Sequence, residues 1–136
     1  MKIVVTGGRN FTDKAFVYDN LDRLNAEHGP FTLVGHGDAR GVDHFAFRWA
    51  VDRKIAWRLF VAHWTKEGDS AGPIRNGKML REVEPALVIA FPGGTGTLDC
   101  CMQAQARGIK VIAIKQEKPP KGGLLAVVAK RKLVES

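Results

Sequence analysis

The sequence predicts a single three-layer α/β domain built on a mainly parallel sheet of about five strands. Three observations carry that reading. Short apolar runs alternate along the chain with longer stretches patterned for helices. Glycine-bearing turns follow three of those runs, and 136 residues with 45% hydrophobic and 26% charged content suit one soluble core. Strands alternating with helices build parallel sheets with both faces covered, because each crossover helix must bury its apolar stripe on the sheet.

The elements follow in order. Residues 3–6 form the first strand and Gly7-Gly8 its turn. Residues 13–27 read as a helix with Phe16, Leu21 and Leu24 as its apolar stripe, Thr12 or Asp13 as its cap, and Gly29-Pro30 as its stop. Residues 31–34 form the second strand and residues 42–54 the second helix. The third strand, 56–61, mixes polar with apolar residues, as expected nearer a sheet edge. A polar, glycine-bearing loop covers 63–73, and a helix over 74–83 stops near Pro85. The fourth strand is 87–91, a helix spans 98–107 with Gly108 at its C-terminal cap, and 110–114 is the fifth strand. The domain is bounded at 1–117. Residues 118–136 form a basic C-terminal extension, in which 118–123 read as a linker and 124–134 suit either a helix or a strand.

Composition narrows the function. No apolar run approaches the roughly 20 residues of a membrane span, and the N-terminus enters a strand-and-glycine pattern at once, so a cytoplasmic protein without a membrane partner is expected. Cys100 and Cys101 are adjacent and read as small apolar helix residues, not as a staple or a zinc site. His28, His36, His44 and His63 lie on different elements, so no metal site is expected, and no cofactor is implied. The net charge of +7 favours anionic partners, although much of it sits in the last stretch of the chain (Lys110, Lys115, Lys118, Lys121, Lys130, Arg131 and Lys132).

Four segments carry candidate chemistry. The run Pro92-Gly93-Gly94-Thr95-Gly96-Thr97 lies between a buried strand and a helix. Unpaired N–H groups and the positive end of the helix dipole favour an anion there, and the glycines let the backbone come close to it. Gly7, Gly8 and Arg9 offer a second turn, with a guanidinium able to fork onto phosphate; a plain turn with a surface arginine is the simpler alternative. In Gly37-Asp38-Ala39-Arg40-Gly41-Val42-Asp43, Asp38 or Arg40 can meet a ribose hydroxyl or a phosphate. Asp43 there is either a dipole partner or a ligand group, and His36 a possible acid–base group. In Gly72-Pro73-Ile74-Arg75-Asn76, Pro73 suits a first helical turn, and Arg75 and Asn76 can reach the strand ends; an exposed Arg75 bridging to Glu82 or Glu84 is the alternative. The GxGxxG fingerprint and the GxxxxGK[ST] P-loop are both missing. All the glycine loops follow strands, so they converge on one edge of a parallel sheet, where such folds bind ligands.

With these residues in hand, the chain resembles the Rossmann-like SLOG superfamily, and within it the YspA-like, YpsA-related proteins. The marks are VTGGRNF (5–11), GDARGVD (37–43), AGPIRNGKML (71–80) and AFPGGTGTLD (90–99). The superfamily includes the Lonely Guy phosphoribohydrolases, which cleave the N-glycosidic bond of a nucleoside monophosphate, and part of DNA-processing protein A, which binds single-stranded DNA. The resemblance implies a nucleotide-type ligand, a nucleoside monophosphate or an ADP-ribose-like molecule, held as a sensor or sequestering protein would hold it. Its phosphate would lie at Gly93, Gly94, Thr95, Gly96 and Thr97. It also implies a homodimer. Two alternatives stay open: a phosphoribohydrolase using Arg75 and Asp99, and a nucleic-acid-binding module. The family's catalytic glutamate corresponds to Cys100, and Asn76 replaces the usual lysine. Asp99 is one residue earlier, about 100° around a helix. Trp49, Trp57 and Trp64 read as packing residues, so no stacking face for bases is evident.

Overall fold

The structure is a computed structural model that describes residues 1–116. The C-terminal extension, 118–136, lies outside the described residues. Five parallel strands, β1 (Lys2–Thr6), β2 (Leu33–Gly37), β3 (Ala56–Phe60), β4 (Leu87–Ala90) and β5 (Lys110–Ala113), form one sheet in the order β3-β2-β1-β4-β5. The helices are α1 (Lys14–His28), α2 (Val42–Asp52), α3 (Trp64–Glu67), α4 (Ala71–Val83) and α5 (Thr95–Ala106). The architecture is the Rossmann-like α/β fold that the alternation of apolar runs predicts. No described helix is long and apolar enough to cross a membrane.

Two cores follow from the period-2 alternation of the central strands. On one face, Ile3, Val5, Leu87 and Ile89 pack with Val17, Leu21 and Leu24 of α1 and with Ala46 and Trp49 of α2. On the other, Val4 and Val88 pack with Met79, Leu80 and Val83 of α4 and with Cys100 and Ala104 of α5. Strands buried on both faces read as continuous apolar runs, which is why β1 and β4 are the plainest in the sequence. β3 is an edge strand, and its Trp57 and Leu59 are exposed.

Chain order reverses at β1. The chain moves outward through β2 and β3, then returns to place β4 on the other side of β1. The loops leaving the carboxyl ends of β1 and β4 therefore diverge around a switch point, where open α/β sheets form a crevice.

Several boundaries differ from the sequence expectation. β2 starts at Leu33, not 31, because the N–H of Phe31 donates to Asn25 Oδ1 (2.8 Å) and that of Thr32 to the Met1 carbonyl (2.8 Å). The strand runs on to Gly37 because Gly35, His36 and Gly37 pair with Arg58, Leu59 and Phe60. Gly35 is not a turn residue: a Cβ there would come within 2.9 Å of Val83 Cγ2, so the glycine admits α4 to the sheet. The polar segment 63–73 is not a plain loop; it holds α3, a single 3-10 turn over Gly68–Ser70, and the start of α4. α5 likewise begins at Thr95, three residues before the predicted position. α1 is capped as expected, with Asp13 Oδ1 accepting the Phe16 N–H at 3.0 Å, and Gly108 adopts a positive φ of 72° after α5.

Candidate functional site

The loop after β1 is locked to the loops after β4 and β2. The Gly8 N–H donates to the Pro92 carbonyl at 2.8 Å, and the Gly8 carbonyl accepts from Val42 at 3.2 Å. These approaches need bare backbone. A Cβ on Gly8 would lie 2.9 Å from the Pro92 oxygen, and one on Gly93 would collide with Thr97 Oγ1 and sit 2.8 Å from the Gly8 nitrogen. Gly41, with φ 76°, turns the β2 loop into α2 under the Gly8 carbonyl.

Gly94 and Gly96 behave differently. A Cβ on either would meet no protein atom within 4 Å, although both lie on the wall of a crevice of about 960 Å³. Gly94 is the N-cap of α5 and supplies no side-chain cap, so the first N–H groups of this helix face the crevice with the positive end of the helix dipole. Thr95 and Thr97 line the same wall, and Gly7, Gly8 and Arg9 line the crevice from the β1 loop. Arg9 is exposed and also borders two smaller cavities beside it.

A chain of polar side chains runs behind Arg75 and Asp99, which line the crevice. Arg75 Nη1 donates to Asp38 Oδ1 at 3.1 Å and to the Phe60 carbonyl at 3.4 Å, while its Nε donates to Asn76 Oδ1 at 2.9 Å. Asn76 Nδ2 donates onward to Asp99 Oδ2 (3.0 Å) and to the Gly96 carbonyl (3.2 Å). Gln103 Nε2 also donates to Asp99 Oδ2, at 2.8 Å. The loops after β2 and β4 are thus joined through α4. Gly37 lies against this chain, since a Cβ there would collide with Arg75 Nη1 and come within 2.7 Å of Asp43 Oδ2.

Asp43 is the most perturbed acid of the site. It lines the crevice yet is 5% exposed, and among the described residues its only side-chain hydrogen bond is from the Ala39 N–H to Oδ2 at 3.2 Å. Burial pushes its carboxyl from 3.8 up to about 6, against the opposing pull of the Arg75 and Arg9 charges and the Ala39 hydrogen bond.

Several expectations are corrected by these positions. Arg75 is not an exposed arginine bridging to Glu82 or Glu84: Glu82 pairs with Arg58 at 2.8 Å, and Arg75 is largely buried against Asp38. Asn76, 2% exposed, lies behind the crevice wall and does not line it; it holds Arg75 and Asp99 in place. His36 is 3% exposed and outside the crevice, packed among Phe47 and Trp57 with Nδ1 2.8 Å from the Gly37 carbonyl. Burial lowers its pKa, which keeps the ring neutral. Cys100 points into the second core, where burial pushes its thiol up to about 12, while Asp99 faces the crevice. Asp38 and Arg40 border the smaller cavities, and Arg40 donates to Asn10 Oδ1 at 3.0 Å. Trp64 belongs to no core cluster. It stands half-exposed on the crevice wall, and nothing in its sequence context separates it from the packed Trp49.

An open parallel sheet with glycine loops converging on a helix N-terminus at its switch point defines a Rossmann-like α/β domain. The chain belongs to the YspA, cpYpsA-related SLOG family, whose pattern its residues 1–66 match. It is 38% identical over 120 residues to the Gene 61 protein of Mycobacterium phage D29, an alignment that covers 82% of this chain and 94% of that protein. Among solved structures it is similar to DNA processing protein A (DprA) from Streptococcus pneumoniae, with a TM-score of 0.67, 15% identity and 96% of this chain covered. The alignment spans 56% of that neighbour, so the likeness is one of fold.

Proposed function

We propose that this protein binds a nucleotide or nucleotide-derived ligand, a nucleoside monophosphate or an ADP-ribose-like molecule, at the carboxyl ends of its strands, as a sensor or sequestering protein. The phosphate lies against the N-terminus of α5, between Gly93 and Thr97, with Gly7, Gly8 and Arg9 on its other side. One observation carries the reading: Gly94 and Gly96 leave open space at an uncapped helix N-terminus. Packing does not require those two glycines, whereas it does require Gly8 and Gly93. Asp38 and Asp43 are the carboxylates offered to ribose hydroxyls, and Arg75 balances their charge.

A thermal-shift and calorimetric screen with AMP, GMP, NAD and ADP-ribose tests the proposal. A ligand held in the crevice raises the melting temperature by linkage, and no shift with any of the four contradicts the reading.

The phosphoribohydrolase alternative draws on Asp99, the carboxylate that faces the crevice. Against it, two donors already hold Asp99 Oδ2, and Arg75 is engaged by Asp38. A carboxylate that stabilises an oxocarbenium-like state or activates water must be placed against the reacting carbon, and the position of the family's glutamate is taken here by Cys100, which points into the core. Binding without turnover therefore fits the crevice better. A homodimer and a cytoplasmic setting complete the proposal. Single-stranded nucleic acid is the competing ligand, to be tested by competition with mononucleotides.

A further inference from the structure

The three tryptophans have three different settings. Trp49 is fully buried, and its Nε1 donates to Asp22 at 2.8 Å. Trp57 lies on the edge strand and packs edge-on against Phe47, with ring centroids 4.8 Å apart. Trp64 does neither. It opens α3, is 47% exposed, and lines both the main crevice and the small cavity that Asp38, Arg40 and Arg75 border. Its Nε1 donates no hydrogen bond among the described residues.

The ring is nevertheless seated. A Cβ on Gly72 would lie 3.3 Å from Trp64 Cη2 and 3.9 Å from Cζ2, so the glycine lets the six-membered ring rest against the first turn of α4. Trp64 remains 47% exposed on the crevice wall. A large apolar side chain held open in this way, in the same cavity as a helix N-terminus that suits phosphate, supplies what a nucleotide needs at its other end. The crevice, at about 960 Å³, has room for both. Indole faces stack on any base because every base has a π-face.

We infer that Trp64 is the platform on which the base of the bound nucleotide stacks, so that the crevice selects base-bearing phosphates over phosphosugars. The inference rests on the nucleotide reading above and names the part of the ligand that the phosphate cradle cannot distinguish.

Calorimetric titration of the full chain and of Trp64→Ala and Trp64→Phe, with AMP and with ribose 5-phosphate, tests it. Wild type binds AMP more tightly than ribose 5-phosphate. Trp64→Ala weakens AMP about 5- to 100-fold, the range expected for losing one stacked base, and leaves ribose 5-phosphate unchanged. Trp64→Phe retains most of the AMP affinity, and AMP quenches the tryptophan fluorescence of wild type more than that of Trp64→Phe. Equal wild-type affinity for AMP and ribose 5-phosphate, or AMP binding unaltered in Trp64→Ala, overturns the inference while the phosphate cradle stands. A wild-type protein that binds neither compound overturns the nucleotide reading and the inference together.

Discussion

Replacing Asp43 with asparagine should stabilise the protein, and the gain should depend on pH. Asp43 is 5% exposed and sits with Arg75 at the crevice floor, yet burial outweighs that positive charge and its carboxyl rises from 3.8 to about 6. The folded state thus holds the proton more tightly than the unfolded one. The favourable contribution is complete below about pH 3.8 and is lost as the pH rises through about 6. Above that point the folded protein carries an ionised carboxylate that it solvates poorly. A shift of about two units corresponds to about 3 kcal/mol at pH 8, falling to roughly half of that near pH 5. Asparagine keeps the shape and can still accept the Ala39 N–H without the charge. Urea denaturation at pH 8, 6.5 and 5 reads the difference. Asp43→Asn should be more stable by about 1–3 kcal/mol at pH 8, with the gap narrowing at pH 5, and should bind AMP more weakly. A variant less stable than wild type at pH 8, or a gap that ignores pH, refutes the reasoning.

Other outcomes follow from the same geometry. Gly93→Ala should destabilise the fold by about 1–3 kcal/mol, because the new Cβ meets Thr97 Oγ1 and the Gly8 nitrogen; thermal unfolding reads it. Asp13→Ala should cost about 1 kcal/mol by removing the cap of α1, with no effect on AMP binding. AMP incubated with the protein should release no adenine on chromatography, since Cys100 is buried and Asp99 is held by Asn76 and Gln103. Adenine release that disappears in Asp99→Asn would instead favour the phosphoribohydrolase alternative.

What the sequence makes legible is what backbone chemistry dictates locally. The strands β1 and β4 are continuous apolar runs, and the turns after β1, β2 and β4 are built from glycine, so their convergence at one sheet edge follows from parallel pairing alone. Less legible are residues whose roles depend on a distant neighbour. Gly35 falls just past the predicted second strand but lies within it and admits Val83 to the sheet, and Asn76 reads as a ligand group but braces Arg75 and Asp99 from behind. His36 looks available in a polar stretch and is sealed beneath Phe47 and Trp57. Trp64 is the reverse case. A tryptophan defaults to packing, and only the segment 64–70, folded as a short helix and a 3-10 turn, sets its ring on the crevice wall.

The central claim is that the open N-terminus of α5 is a ligand cradle, and Gly96→Asp tests it most directly. Position 96 lies in the first turn of α5, and a Cβ there meets no protein atom. A carboxylate at that end complements the helix dipole, and leaving glycine gains a few tenths of a kcal/mol (about 0.1–0.3) in propensity, so the unliganded fold should hold or gain stability. The same carboxylate occupies the space assigned to phosphate and repels it. AMP affinity measured by calorimetry should fall at least about 100-fold while the melting temperature without ligand stays level or rises. Wild-type AMP affinity in Gly96→Asp would place the ligand elsewhere and contradict the account.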